Sequence, residues 1–215
     1  MKGLFKNNLF VVYPNAKVFA IVMLFFGVFT AVVISPSLLI GYVLLGMTGF
    51  SANALAGLGK EYASRWSRYK LTTPVKRSDI VKSYYISQIL WLLVGTGFAG
   101  AAIAFSTALH GFPFDKTTDP FMLFVVGAGI SLFMSALFFP LFYLGGEERS
   151  EVLLIVSLLG GVGIVMGLSS LFNTVFPHMN VPQLILCGTS ILACALLSFL
   201  FSCPLAVAVF KRKGF

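Results

Sequence analysis

The sequence predicts an all-α protein that crosses a membrane six times, with both chain ends on the cytoplasmic side. Three observations carry that prediction. The composition is strongly apolar, the apolar residues form unbroken runs, and the basic residues are confined to alternate connections. Hydrophobic residues make up 58% of the chain and charged residues only 10%, whereas soluble domains are about 45–50% apolar and about 25% charged. An ordinary soluble fold is thereby excluded. Transmembrane barrels alternate apolar and polar residues. Continuous runs therefore mean helices, whose backbone groups are satisfied internally.

A spanning helix needs roughly 20 apolar residues. Runs near 18–35, 37–59, 83–109, 121–144, 152–172 and 183–210 meet that need. Lysine and arginine stay on the cytoplasmic side. With six spans, Lys116 alone of the 15 basic residues falls on the outer side, a split that a different span count would destroy. The net charge of +8 is then explained by anionic lipid headgroups beside those residues, and nucleic acid is not an expected partner.

Residues 1–14 precede the first span. Phe5, Leu9 and Val12 recur at helical spacing opposite Lys2, Lys6, Asn7 and Asn8, which predicts an amphipathic helix lying in the interface. Pro14 is expected to end it. The charged stretch is too long for a cleaved signal peptide, and a second span follows the first at once. Pro36 separates the first two spans, making them a tight hairpin.

The connection 60–82 is the most informative segment. It carries seven basic residues, from Lys60 to Lys82, and an aromatic stripe of Tyr62, Trp66 and Tyr69 at i, i+4 and i+7. Thr73 followed by Pro74 reads as a helix start, so a second helix is expected to begin there and to run directly into the third span. An interfacial anchoring role for the aromatic residues is the simpler alternative.

The outer turn 110–119 is short and polar. The fourth span leads through Gly146, Glu147, Glu148 and Arg149 into the fifth. Residues 169–183 are apolar but interrupted by Pro177 and Pro182. They read as short re-entrant helices on the outer side. Small-xxx-small pairs at Gly163/Gly167, Gly97/Ala101 and Ala52/Ala56 are candidate close helix crossings. Cys187, Cys194 and Cys203 all lie in the last span and read as packing residues.

The seven acids lie outside the apolar runs and no basic residue is placed in mid-span, which argues against an ion relay. No catalytic residue, metal-ligand set or cofactor motif is expected. The lone Gly59-Lys60 pair lacks the earlier glycine and the following Ser/Thr of a phosphate-binding loop. Any ATP would have to be hydrolysed by another chain.

The loop has a further reading. Trp66 and Tyr69, then Thr73-Pro74-Val75-Lys76-Arg77, Ile80-Val81 and Tyr84-Tyr85 resemble the signature of short bacterial ABC exporter permeases of the type-2 class. Thr73 stands where leucine is usual, and Lys76 where a small polar residue is usual. The turn Gly146–Arg149 and the six-span layout are similar as well. The resemblance implies one permease domain over residues 1–215, in the plasma membrane, paired with a second permease subunit as a homo- or heterodimer.

It further implies that a cytosolic ATPase subunit holding ATP and Mg docks on the coupling loop through Trp66, Tyr69, Pro74, Val75, Lys76, Arg77 and Asp79. Glu147, Glu148 and Arg149 would form a second cytoplasmic contact, and Phe172, Phe176 and Pro177 in the broken outer segment would form an extracellular gate. The implied cargo is an amphipathic peptide or a hydrophobic antimicrobial, as in exporters of phenol-soluble modulins. A non-transporting scaffold, or an immunity or assembly factor, is the alternative. A lipid-modifying enzyme would require His110, Asp115 and His178 to converge.

Overall fold

The structure, a computed structural model, describes residues 2–32, 36–63, 76–114, 116–177 and 180–212. Among the described residues are six long helices, α1 (Lys2–Val32), α2 (Pro36–Ala63), α3 (Arg77–His110), α4 (Asp119–Gly145), α5 (Ser150–Val175) and α6 (Val181–Arg212), with a 3₁₀ turn at Glu147–Arg149. All six are long and apolar enough to cross a membrane. The chain is a six-span polytopic membrane protein. The even number of helices places α1's start, the α2–α3 connection and α6's end together at the lysine-rich end.

Helix α4 is the most enclosed of the six. It packs against α2 on one side and against α5 and α6 on the other, while α1 lies along both α2 and α3. Two apolar cores result. One joins α1, α2 and α3 around Met23, Met47, Phe50 and Trp91. The other joins α3, α4 and α6, where the Tyr85 ring stacks on Phe139 at 4.2 Å between centroids. The Tyr85 hydroxyl meets Ser202 Oγ at 2.8 Å.

The closest backbone approaches fall on glycines. A Cβ at Gly95 of α3 would stand 2.8 Å from the Gly46 carbonyl oxygen of α2, and one at Gly161 of α5 would stand 2.9 Å from the Ile130 carbonyl oxygen of α4. These, and not Gly97 or the Gly163/Gly167 pair, are glycine crossing points. Gly97, Gly163 and Gly167 have open space before them, because they face away from the neighbouring helices. Of the three cysteines, Cys187 is buried and Cys194 exposed.

Three expectations are corrected. The first helix does not stop at Pro14 but continues through it to Val32. An internal proline costs about 3 kcal/mol, and tertiary contacts on both sides of it offset that cost. Val12 packs into the space before Gly57, Asn7 and Asn8 bond to α2 and α3, and Ala16 is buried. The face bearing Leu9 and Val12 thus packs on the bundle.

The second correction concerns the outer segment. Residues 169–175 are the last turns of α5, Phe176 caps it, and α6 begins at Val181. No separate re-entrant helix occurs among the described residues. Pro177 lies just beyond a helix end and Pro182 in a first turn, so each bounds a helix without breaking one. The third is the start of α3. Lys76 is its N-cap in extended conformation, and Arg77 its first residue, three positions after Pro74.

Candidate functional site

The lysine-rich ends of α2 and α3 bracket the connection 64–75. Trp66, Tyr69, Pro74 and Val75 lie in that stretch, outside the described residues. What the structure describes is the base on which the connection stands. Glu61, two residues before α2 ends, is only 2% exposed. A carboxylate at a helix C-terminus is disfavoured by the helix dipole, and its burial is costly without donors. The Tyr84 hydroxyl donates to Glu61 Oε2 at 2.9 Å, and Asn7 Nδ2 donates to Oε1 at 3.4 Å. Tyr84 belongs to α3 and Asn7 to α1, so one carboxylate ties three helices together.

A second bond reinforces the first. Asn8, also buried, donates through Nδ2 to Ser83 Oγ at 2.8 Å, and Ser83 Oγ donates to the Ile80 carbonyl at 2.7 Å. A small cavity beside these groups is lined by Asn8, Glu61, Tyr84 and Ser87. Tyr62, next to Glu61, joins α4 to the assembly through edge contacts with Phe142 at 5.1 Å and Tyr143 at 6.5 Å. All four helices that meet here therefore share one polar and aromatic clamp.

Of the predicted coupling residues, Lys76 is exposed while Arg77 and Asp79 are partly buried. Asp79 sits in the first turn of α3, where an acid complements the dipole. Glu147–Arg149 form the 3₁₀ turn after Gly146, whose φ of 83° is the left-handed conformation that glycine adopts freely. The turn stands beside the end of α2, since a Cβ at Gly59 would meet Ser150 Oγ at 2.8 Å. Glu148 and Arg149 are exposed. Both predicted contact regions thus border the Glu61 clamp.

At the opposite end, Phe172 is partly buried, and Phe176 and Pro177 are exposed. An apolar crevice of about 420 Å³ lies there, lined by Ile40, Leu44, Pro113, Phe114, Met122 and the carboxylate of Asp119. His110 ends α3, while Asp115 and His178 lie outside the described residues. Among the described residues no His, Cys, Asp and Glu group is placed to hold a metal.

Further polar groups lie deep in the bundle. Both amide atoms of Gln88, the Ser51 hydroxyl and the Trp91 indole nitrogen are buried without a hydrogen-bond partner among the described residues. Sequence reading missed the clamp. It placed Glu61 outside the apolar runs, and it put Asn7 and Asn8 on the polar face of the first helix. The available signal was Tyr84, a tyrosine at the start of the third apolar run and about two turns into α3.

A family model described as "ABC-2 family transporter protein" matches residues 3–211. No curated protein and no solved structure matches the chain.

Proposed function

The chain belongs to the ABC-2 transporter family, the membrane-spanning permease component of an ABC transporter, and from that premise we propose that it exports amphipathic peptide or hydrophobic antimicrobial cargo across the plasma membrane. A separate cytosolic subunit binds and hydrolyses the ATP, and a second permease subunit completes the pore. The connection 60–82 is the docking element, with Trp66, Tyr69, Pro74, Val75, Lys76, Arg77 and Asp79 facing the ATPase. The turn Glu147–Arg149 makes a smaller contact beside it.

One observation carries this reading. The Tyr84–Glu61 bond joins the two helices that bracket the docking connection, so a push on that connection moves α2 and α3 as a pair. Helix α3 has 34 residues, about 51 Å at 1.5 Å per residue, and conveys the movement to the outer end. There Phe172, Phe176 and Pro177 border the exit. The apolar crevice above Asp119 suits an amphipathic cargo with a cationic group.

The test is reconstitution of the permease with its ATPase in liposomes, using a synthetic amphipathic helical peptide as probe. Pro74→Ala combined with Arg77→Glu should abolish peptide-stimulated ATP hydrolysis while the membrane bundle stays folded. Undiminished stimulation would refute the docking role of these residues, and absence of stimulation in the wild type would favour the scaffold reading.

A further inference from the structure

Lys17 is placed where no other described charge is. The remaining charged residues lie near helix ends, whereas Lys17 stands at the middle of α1. Its depth follows from how α1 lies on α2. Val12 meets Gly57, Phe19 meets Gly49, Met23 meets Gly46, and Tyr42 meets Gly27. The register is constant, so α1 stays against α2 along its length and Lys17 is level with about Ala52. It therefore stands nine residues inward of Asn8, roughly 14 Å.

The side chain is exposed, and no described residue offers it a hydrogen bond or ion pair. Its neighbours on the same face at i−7, i−4 and i+4 are Phe10, Tyr13 and Ile21, which are 62%, 55% and 45% exposed. An ammonium surrounded by exposed apolar side chains faces lipid and needs a counter-charge.

We propose that Lys17, with the Tyr13 hydroxyl, binds the phosphate of an anionic phospholipid drawn down from the leaflet at the lysine-rich end. Three observations select that occupant. Side chains of α1 lean toward its N-terminus, so the lysine stem rises about one turn, roughly 5 Å, to the level of Tyr13. The headgroup must descend the remaining distance. Lys6, higher on the same face, already has its ammonium 5.8 Å from the Phe10 ring centroid. A second copy of the chain supplies no match, because its described acids, Glu61, Asp79, Asp119, Glu147, Glu148 and Glu151, all lie near helix ends. None is available at this depth.

The test uses the full permease in nanodiscs of phosphatidylcholine alone or mixed with phosphatidylglycerol. Phosphatidylglycerol should raise the melting temperature of the wild-type protein, and native mass spectrometry should retain bound phosphatidylglycerol. Lys17→Gln should weaken retention about fivefold, the worth of one lysine at an anionic surface, and should remove the melting difference. Lys17→Arg should preserve both, and Lys6→Gln should change them little. Equal phosphatidylglycerol retention by wild type and Lys17→Gln would overturn the proposal. So would crosslinking of Lys17→Cys to a second copy, in a background with the three native cysteines replaced, because that face would then be covered by protein.

Discussion

Removing the Tyr84 hydroxyl tests whether the clamp holds the docking base together. In Tyr84→Phe, Glu61 keeps its longer bond from Asn7 at 3.4 Å but loses the bond at 2.9 Å from Tyr84. A hydrogen bond to a charged group contributes about 1.5–3 kcal/mol. For a chain of this length each kcal/mol moves the midpoint by about 2–4 °C, so the melting temperature should fall by about 3–12 °C. Glu61→Leu leaves the Tyr84 hydroxyl and the Asn7 amide without their acceptor, but it also removes a carboxylate from a helix C-terminus. Its net sign is therefore less informative than the double variant. Thermal unfolding of the wild type, both single variants and the double variant, followed by circular dichroism in detergent, closes the cycle. The coupling between the two positions should exceed about 1.5 kcal/mol. Effects that add to within about 0.5 kcal/mol, as independent sites do, would refute the idea of a shared bond. The functional arm uses the ATPase complex, in which Tyr84→Phe should lower peptide-stimulated hydrolysis and leave ATPase binding intact.

Two further substitutions probe the bundle interior. Gln88→Met replaces an unpartnered buried amide with an apolar side chain of similar length, and should raise stability by about 1–3 kcal/mol, measured by the same unfolding assay. A loss of stability would mean that Gln88 has a partner. Gly95→Ala drives a methyl group against the Gly46 carbonyl and should cost about 1–3 kcal/mol. Gly163→Ala, with open space before it, should be neutral or gain up to about 1 kcal/mol through helix propensity. The reverse order would remove the α2–α3 crossing as a packing constraint.

The spans were legible because hydropathy and the placement of basic residues report directly on solvent, and the bilayer leaves few structural options. The polar anatomy was not. Pro14 reads as a stop because its local cost is visible in sequence, whereas the contacts that offset it involve Gly57, Glu61 and Ser83, about 45 to 75 positions away. For the same reason the apolar run near 18–35 leaves Lys17 outside the first span, whereas it lies in the middle of α1. Glu61 sits at the edge of an apolar run, where sequence cannot separate a solvated acid from a buried one. Tyr84 supplies that distinction only once α2 and α3 are side by side. The glycines divide on the same ground. Spacing pointed to Gly163 and Gly167, but which face of α5 meets α4 depends on the whole bundle, and that face carries Gly161. For the docking element itself, Lys76 and Arg77 mark where α3 begins, beyond a proline that had seemed sufficient to start it.

The bond from Asn8 to Ser83 spans 75 positions of chain. During synthesis α1 emerges first, the Glu61 acceptor of Asn7 follows with α2, and the Ser83 hydroxyl that accepts from the buried Asn8 arrives only with α3. The bond that fixes α1 on α3 cannot form before that moment. Helices α1 to α3 therefore mature as one unit, and a ribosome halted before Ser83 would hold a first helix that has not yet settled against its neighbours.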